Sequence, residues 1–280
     1  MLAYTITVFL SAFLLFQIEL IIGKELLPWF GGTPSVWTTC LMFFQMVLLA
    51  GYTYSHYLFD RLRSRFQRLL HFSLIGGSLL VLLVLAFQWP SPITPDPSWK
   101  PEGSAEPIGR LLILLATCIG LPFFVLSTTG PLLQAWFATA HPDKSPYRLY
   151  ALSNVGSLLG LISYPLIVEP ILTIHAQSIV WTIGYVFFCV GVMVCAARVE
   201  EGNSPVVHER AYKGSAPAKP APGLGVMILW TSLAAVASAL MLSTTNHMCQ
   251  DTAIIPMLWV LPLSIYLLTF VLCFEYEGFY

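Results

Sequence analysis

The chain alternates apolar runs of about 20 residues, each long enough as a helix to cross a bilayer, with short segments that hold most of its charge. Eight runs can be marked, over 2–23, 35–58, 69–89, 108–137, 148–168, 177–197, 224–246 and 254–274. They predict an all-α, polytopic helical membrane protein with about eight transmembrane helices, seated in a lipid bilayer. Composition agrees, because 57% of the 280 residues are hydrophobic and 10% are charged, against about 25% charged in a soluble domain. A transmembrane barrel would show alternating segments of about ten residues, and the sequence has none. The net charge of −1 offers no basic surface, so no nucleic acid is expected.

The segment FDRLRSRFQR, after the second run, carries Arg61, Arg63, Arg65 and Arg68 against one acid, Asp60. Short arginine-rich loops stay in the cytoplasm, which predicts a cytoplasmic N-terminus. HPDKSPYR (141–148) and residues 198–223 also carry basic residues and fall on the same side. The start, MLAYTITVFL, lacks the basic residues and cleavage site of a signal peptide and reads as an uncleaved first span. Residues 199–223, rich in Pro, Ala, Gly and Ser, read as a flexible cytoplasmic linker. The linker divides a six-helix bundle (1–198) from two further spans (224–280), with a further cytoplasmic domain expected beyond them. Six helices and then a long linker is the midpoint arrangement of transporters built from two six-helix halves.

Five cysteines (Cys40, Cys118, Cys189, Cys195, Cys273) fall inside apolar runs and read as small buried hydrophobes. Cys249, His247 and Asp251 are expected in a loop. With no CxxC or HExxH spacing, no metal or other cofactor is expected.

The fourth run, GLPFFVLSTTGPLLQAWF (120–137), is interrupted by Pro122 and by Ser127-Thr128-Thr129-Gly130-Pro131. Proline removes a backbone donor and crowds the carbonyl four residues back, so the helix is expected to kink or open there. Two readings stand. Either the hydroxyls of Ser127, Thr128 and Thr129 repair a structural kink, or the break lines a polar interior, as in the discontinuous helices of transporters. In the fifth run, Ser153, Asn154, Gly156, Ser157, Gly160 and Tyr164 share one helical arc of roughly 160° at 100° per residue. Gly156-x-x-x-Gly160 reads as a packing seam, while Asn154, Ser157 and Tyr164 read as part of a polar cavity. In the first run, Gln17 and Glu19 are candidates for the same cavity. A carboxylate within the membrane costs a few kcal/mol unless paired, protonated or wetted. If the helix ends near Gly23, however, Glu19 is merely solvated at the interface. Glu169, followed by Pro170, reads as a helix end, and His56 and Asp60 as partners for the arginine cluster.

The segments FLLFQIELIIGKELLPWFGGTPSVWTTCLMFFQMVLLAGYTYSHYL, LPFFVLSTTGPLLQAWF and PYRLYALSNVGSLLGLISYPLIVEP resemble bacterial spermidine-synthase-like membrane proteins, in which a major-facilitator-like membrane half is fused to a cytoplasmic aminopropyltransferase-like domain. The resemblance covers most of residues 1–275. It implies a multi-pass protein of the bacterial inner membrane and a transferase-like domain outside this chain. No glycine-rich nucleotide loop follows a strand before Tyr280, so the family's catalytic residues have no positions here to receive them. Two functions are therefore expected. The first is a non-catalytic membrane module that anchors or serves an aminopropyltransferase-like domain. The second is a transporter or binding protein for a small polar or cationic solute such as a polyamine, held between the first, fourth and fifth spans.

Overall fold

The computed structural model describes residues 1–31, 34–101, 107–141, 147–197, 222–251 and 260–275. Among these every regular element is helical. Eight apolar helices follow in order: α1 (Leu2–Phe30), α2 (Pro34–Arg61), α3 (Ser64–Gln88), α4 (Ile108–Ala140), α5 (Arg148–Ile171), α6 (Ile174–Ala197), α7 (Leu224–Asp251) and α8 (Val260–Glu275). Seven contain a stretch long and apolar enough to cross a membrane, and α8 is shorter. The chain is thus a polytopic helical membrane protein. The expected linker lies outside the described residues, save for 222 and 223.

Three expectations change. Helix α1 does not end near Gly23; it continues through Pro28 to Phe30 and stops at Gly31, whose φ of 86° lies in the left-handed region that favours glycine. The fourth span is not broken at Ser127–Pro131, where the backbone remains α-helical. Its irregularity lies earlier, in a π-turn over Ala116–Gly120 just ahead of Pro122. A wider turn there accommodates the ring that would otherwise crowd the preceding carbonyls. Helix α5 has a second π-turn, Tyr164–Val168, around Pro165. Finally, α7 runs on through His247 and Cys249 to Asp251, so these residues stand in a helix and not a loop. A sequence window ending at the last strongly apolar residue misses such polar final turns.

Helix α1 is the central strut. Gly156 and Gly160 of α5 lie directly on it: a Cβ on either would meet the Phe9 or Phe13 carbonyl at 2.7 Å. On the α6 side, the Trp181 Nε1–H donates to the Leu14 carbonyl at 2.9 Å and the Tyr4 hydroxyl donates to the Cys195 carbonyl at 3.2 Å. On the α4 side, the Ser11 hydroxyl donates to the Leu126 carbonyl at 3.1 Å. Lipid tails are as apolar as leucine, so close backbone approach and hydrogen bonds of this kind hold such helices together.

The α2–α3 hairpin is fastened differently from expectation. Gln67 donates to the carbonyls of Phe59 (3.2 Å) and Leu62 (2.7 Å) and accepts from the Trp136 indole at 3.0 Å. Among the described residues Asp60 pairs with Arg61 of the cluster, its neighbour, at 3.8 Å and well exposed, while the His56 ring packs on Tyr57. An exposed pair of this kind contributes about 0–1 kcal/mol.

Candidate functional site

A cleft of about 480 Å³ opens between α1, α2, α4, α5, α7 and α8. Helix α1 contributes Val8, Ser11, Ala12, Leu15, Phe16 and Glu19, one face repeating at three- and four-residue steps. This stripe of eleven residue steps runs about 16 Å along α1. Helix α2, antiparallel, supplies Leu41, Phe44, Gln45, Leu48 and Tyr52, of which Gln45 and Tyr52 stay largely exposed, so the cleft is open along α2. Helix α5 adds Tyr150, Ser153, Asn154 and Ser157.

Because α1 ends at Phe30, Glu19 stands three residues from the helix midpoint, about 4–5 Å along the axis. It is half-buried and is the only charged side chain among the described residues lining the cleft. Its carboxylate has no hydrogen-bond or ion-pair partner among the described residues. The nearest cation in sequence, Lys24, is engaged at 3.0 Å with Glu169. Glu169 thus ties α5 to α1, at the helix end where the sequence places it.

The eight candidate residues do not converge on one point. Glu19, Ser127, Asn154 and Ser157 line the cleft; Gln17, Thr128, Thr129 and Tyr164 do not. Gln17 is buried and donates to the Gly160 carbonyl (2.7 Å) and the Ser163 hydroxyl (3.0 Å), beside the π-turn of α5. Tyr164 turns toward α6 and donates to Gln177 at 3.0 Å. Thr128 and Thr129 both donate back to the Val125 carbonyl, at 2.7 and 3.1 Å. Ser127 bonds back to Phe124 at 2.7 Å while facing the cleft.

Register separates the remaining residues further. With Gly156 on Phe9 and Gly160 on Phe13, α1 and α5 run parallel, and Asn154 stands near the level of α1 residue 7. Glu19 is some twelve residues further along, an axial offset of about 18 Å. Ser157 is about 14 Å below Glu19 on the same count. The cleft therefore has a carboxylate near one end and hydroxyls and an amide near the other. Sequence reading missed Gln45, Tyr52, Tyr150 and Tyr266 as lining residues. Gln45 and Tyr52, seven apart in an apolar run, and Tyr150, four before Asn154, were the available signals.

Comparison with family models, with curated proteins and with solved structures returned no match.

The back-bonds give a direct expectation. Replacing both Thr128 and Thr129 with valine should cost about 0.5–1.5 kcal/mol per lost hydrogen bond and leave binding in the cleft unchanged. Thermal unfolding in detergent, with and without ligand, checks this; loss of binding with normal stability would place these hydroxyls in the site.

Proposed function

We propose that the chain is an integral membrane module that binds a small cationic solute in this cleft, with Glu19 as the counter-charge. What carries the reading is a carboxylate near the middle of α1, facing an open cleft with no cation among the described lining residues. An unpaired carboxylate in the hydrocarbon layer is costly, and a bound ammonium offsets that cost. A thermal-shift panel of purified protein against primary, quaternary and polyvalent amines, with neutral analogues of matched size, tests it. At 100 times Kd a ligand stabilises by about 2.7 kcal/mol, which is readily seen. Selective stabilisation by cations supports the proposal; equal response to cations and neutral analogues refutes it.

A second reading, the module that anchors or serves an aminopropyltransferase-like domain, rests on the resemblance of the three quoted segments. Reading the coding frame beyond residue 280 tests it, since a stop codon there removes that domain. A bacterial inner-membrane location belongs to this reading too.

The cytoplasmic N-terminus rests on the arginine-bearing loop. Cysteines placed at exposed Arg65 and exposed Ser98 should differ. In intact cells a membrane-impermeant thiol reagent should label the second and spare the first, and the reverse pattern would invert the topology.

A further inference from the structure

We infer that the ligand is an elongated monocation: one ammonium at Glu19, a linear apolar body, and a neutral hydrogen-bonding group at the far end. This rests on the cation-binding reading above and narrows its substrate class. Charge count is the first argument. The described lining residues carry one carboxylate and no second acid, so one positive charge is compensated. A long diamine or polyamine would leave a further ammonium among neutral hydroxyls and an amide without a counter-ion, which is disfavoured.

Shape is the second argument. Between Glu19 and the Asn154 level, the walls are formed mostly by Leu15, Phe16, Phe44, Leu48, Leu126 and Leu267, with Gln45, Ser11 and Ser127 as neutral polar groups among them. Such walls favour a hydrocarbon chain over a hydrated one. Allowing for the reach of the side chains, the two polar ends stand on the order of 10–15 Å apart.

The far end supplies the third argument. Asn154 donates its Nδ2–H to the Tyr150 carbonyl at 3.1 Å, which leaves its amide oxygen to accept. With the Ser153 and Ser157 hydroxyls beside it, that end suits a hydroxyl or amide and offers no charge. The open side of the cleft along exposed Gln45 and Tyr52 of α2 lets an amphiphile enter.

The experiment compares, at pH 7 and at equal chain length, straight-chain amino alcohols, plain alkylamines and α,ω-diamines across a graded length series. Apparent Kd is read from ligand-induced stabilisation of the full chain in detergent, at ligand concentrations below micelle formation. The amino alcohol of optimal length should bind about tenfold more tightly than the plain amine, and more tightly still than the diamine. Asn154→Leu should erase the advantage of the amino alcohol over the plain amine. Diamines or polyamines binding as tightly as the amino alcohol, or affinity independent of length, would overturn this inference while leaving cation binding intact. No response to any amine would overturn both.

Discussion

Glu19→Gln should weaken amine binding by at least about 100-fold, because leaving one charge of a buried pair without its partner costs about 3–5 kcal/mol. The substitution keeps size and hydrogen-bonding capacity and removes only the charge. It should not unfold the protein. Removing an uncompensated carboxylate from mid-span lightens a desolvation cost, so the apparent melting temperature without ligand should hold or rise. Measuring both quantities on one preparation separates the roles. A variant that binds amines normally would remove Glu19 from the site. One that melts far below the parent would make Glu19 a structural group.

The second large effect is mechanical. Leucine at Gly160 would place a Cβ 2.7 Å from the Phe13 carbonyl and its branches into the Phe13 and Phe16 side of α1. Neither backbone can yield without parting the helices, so a loss of about 1–3 kcal/mol or more is expected. Gly156→Leu, against the Phe9 carbonyl, should behave alike. Gly76 is the control, since nothing lies within 4 Å of a Cβ there and its alanine variant should melt with the parent. Thermal unfolding of the three variants in detergent checks the contrast. Equal melting of the Gly160 and Gly76 variants would mean the α1–α5 seam is looser than described.

Much of this architecture is written in single-helix periodicity. Run length marks all eight helices, and the Gly156/Gly160 spacing marks a packing seam but not that its partner is α1. What periodicity omits is how one helix slides along another. A helical wheel gathers Asn154, Ser157 and Tyr164 on one arc, but the wheel assumes 100° per residue throughout. The π-turn beginning at Tyr164 breaks that assumption just where the chain turns its tyrosine to Gln177. The level of Glu19 relative to Asn154 depends on which α1 carbonyl each glycine meets, which is a tertiary fact. Gln17 illustrates the same limit. Two residues from Glu19 in sequence, it points about 200° around the helix and closes a carbonyl on α5 instead of entering the cleft. The Ser-Thr-Thr-Gly-Pro stretch resolves both ways: Thr128 and Thr129 serve the backbone, and Ser127 alone of the three faces the cleft.

The most direct test of a mid-span carboxylate that holds a cation is covalent. An apolar carbodiimide added to the purified chain should modify Glu19, located by mass spectrometry of the α1 peptide, whereas a water-soluble carbodiimide should react there far more slowly. A saturating long-chain quaternary ammonium, which cannot itself be acylated, should protect Glu19, and its neutral analogue should not. Modification of Glu19 that no quaternary ammonium slows would contradict the account.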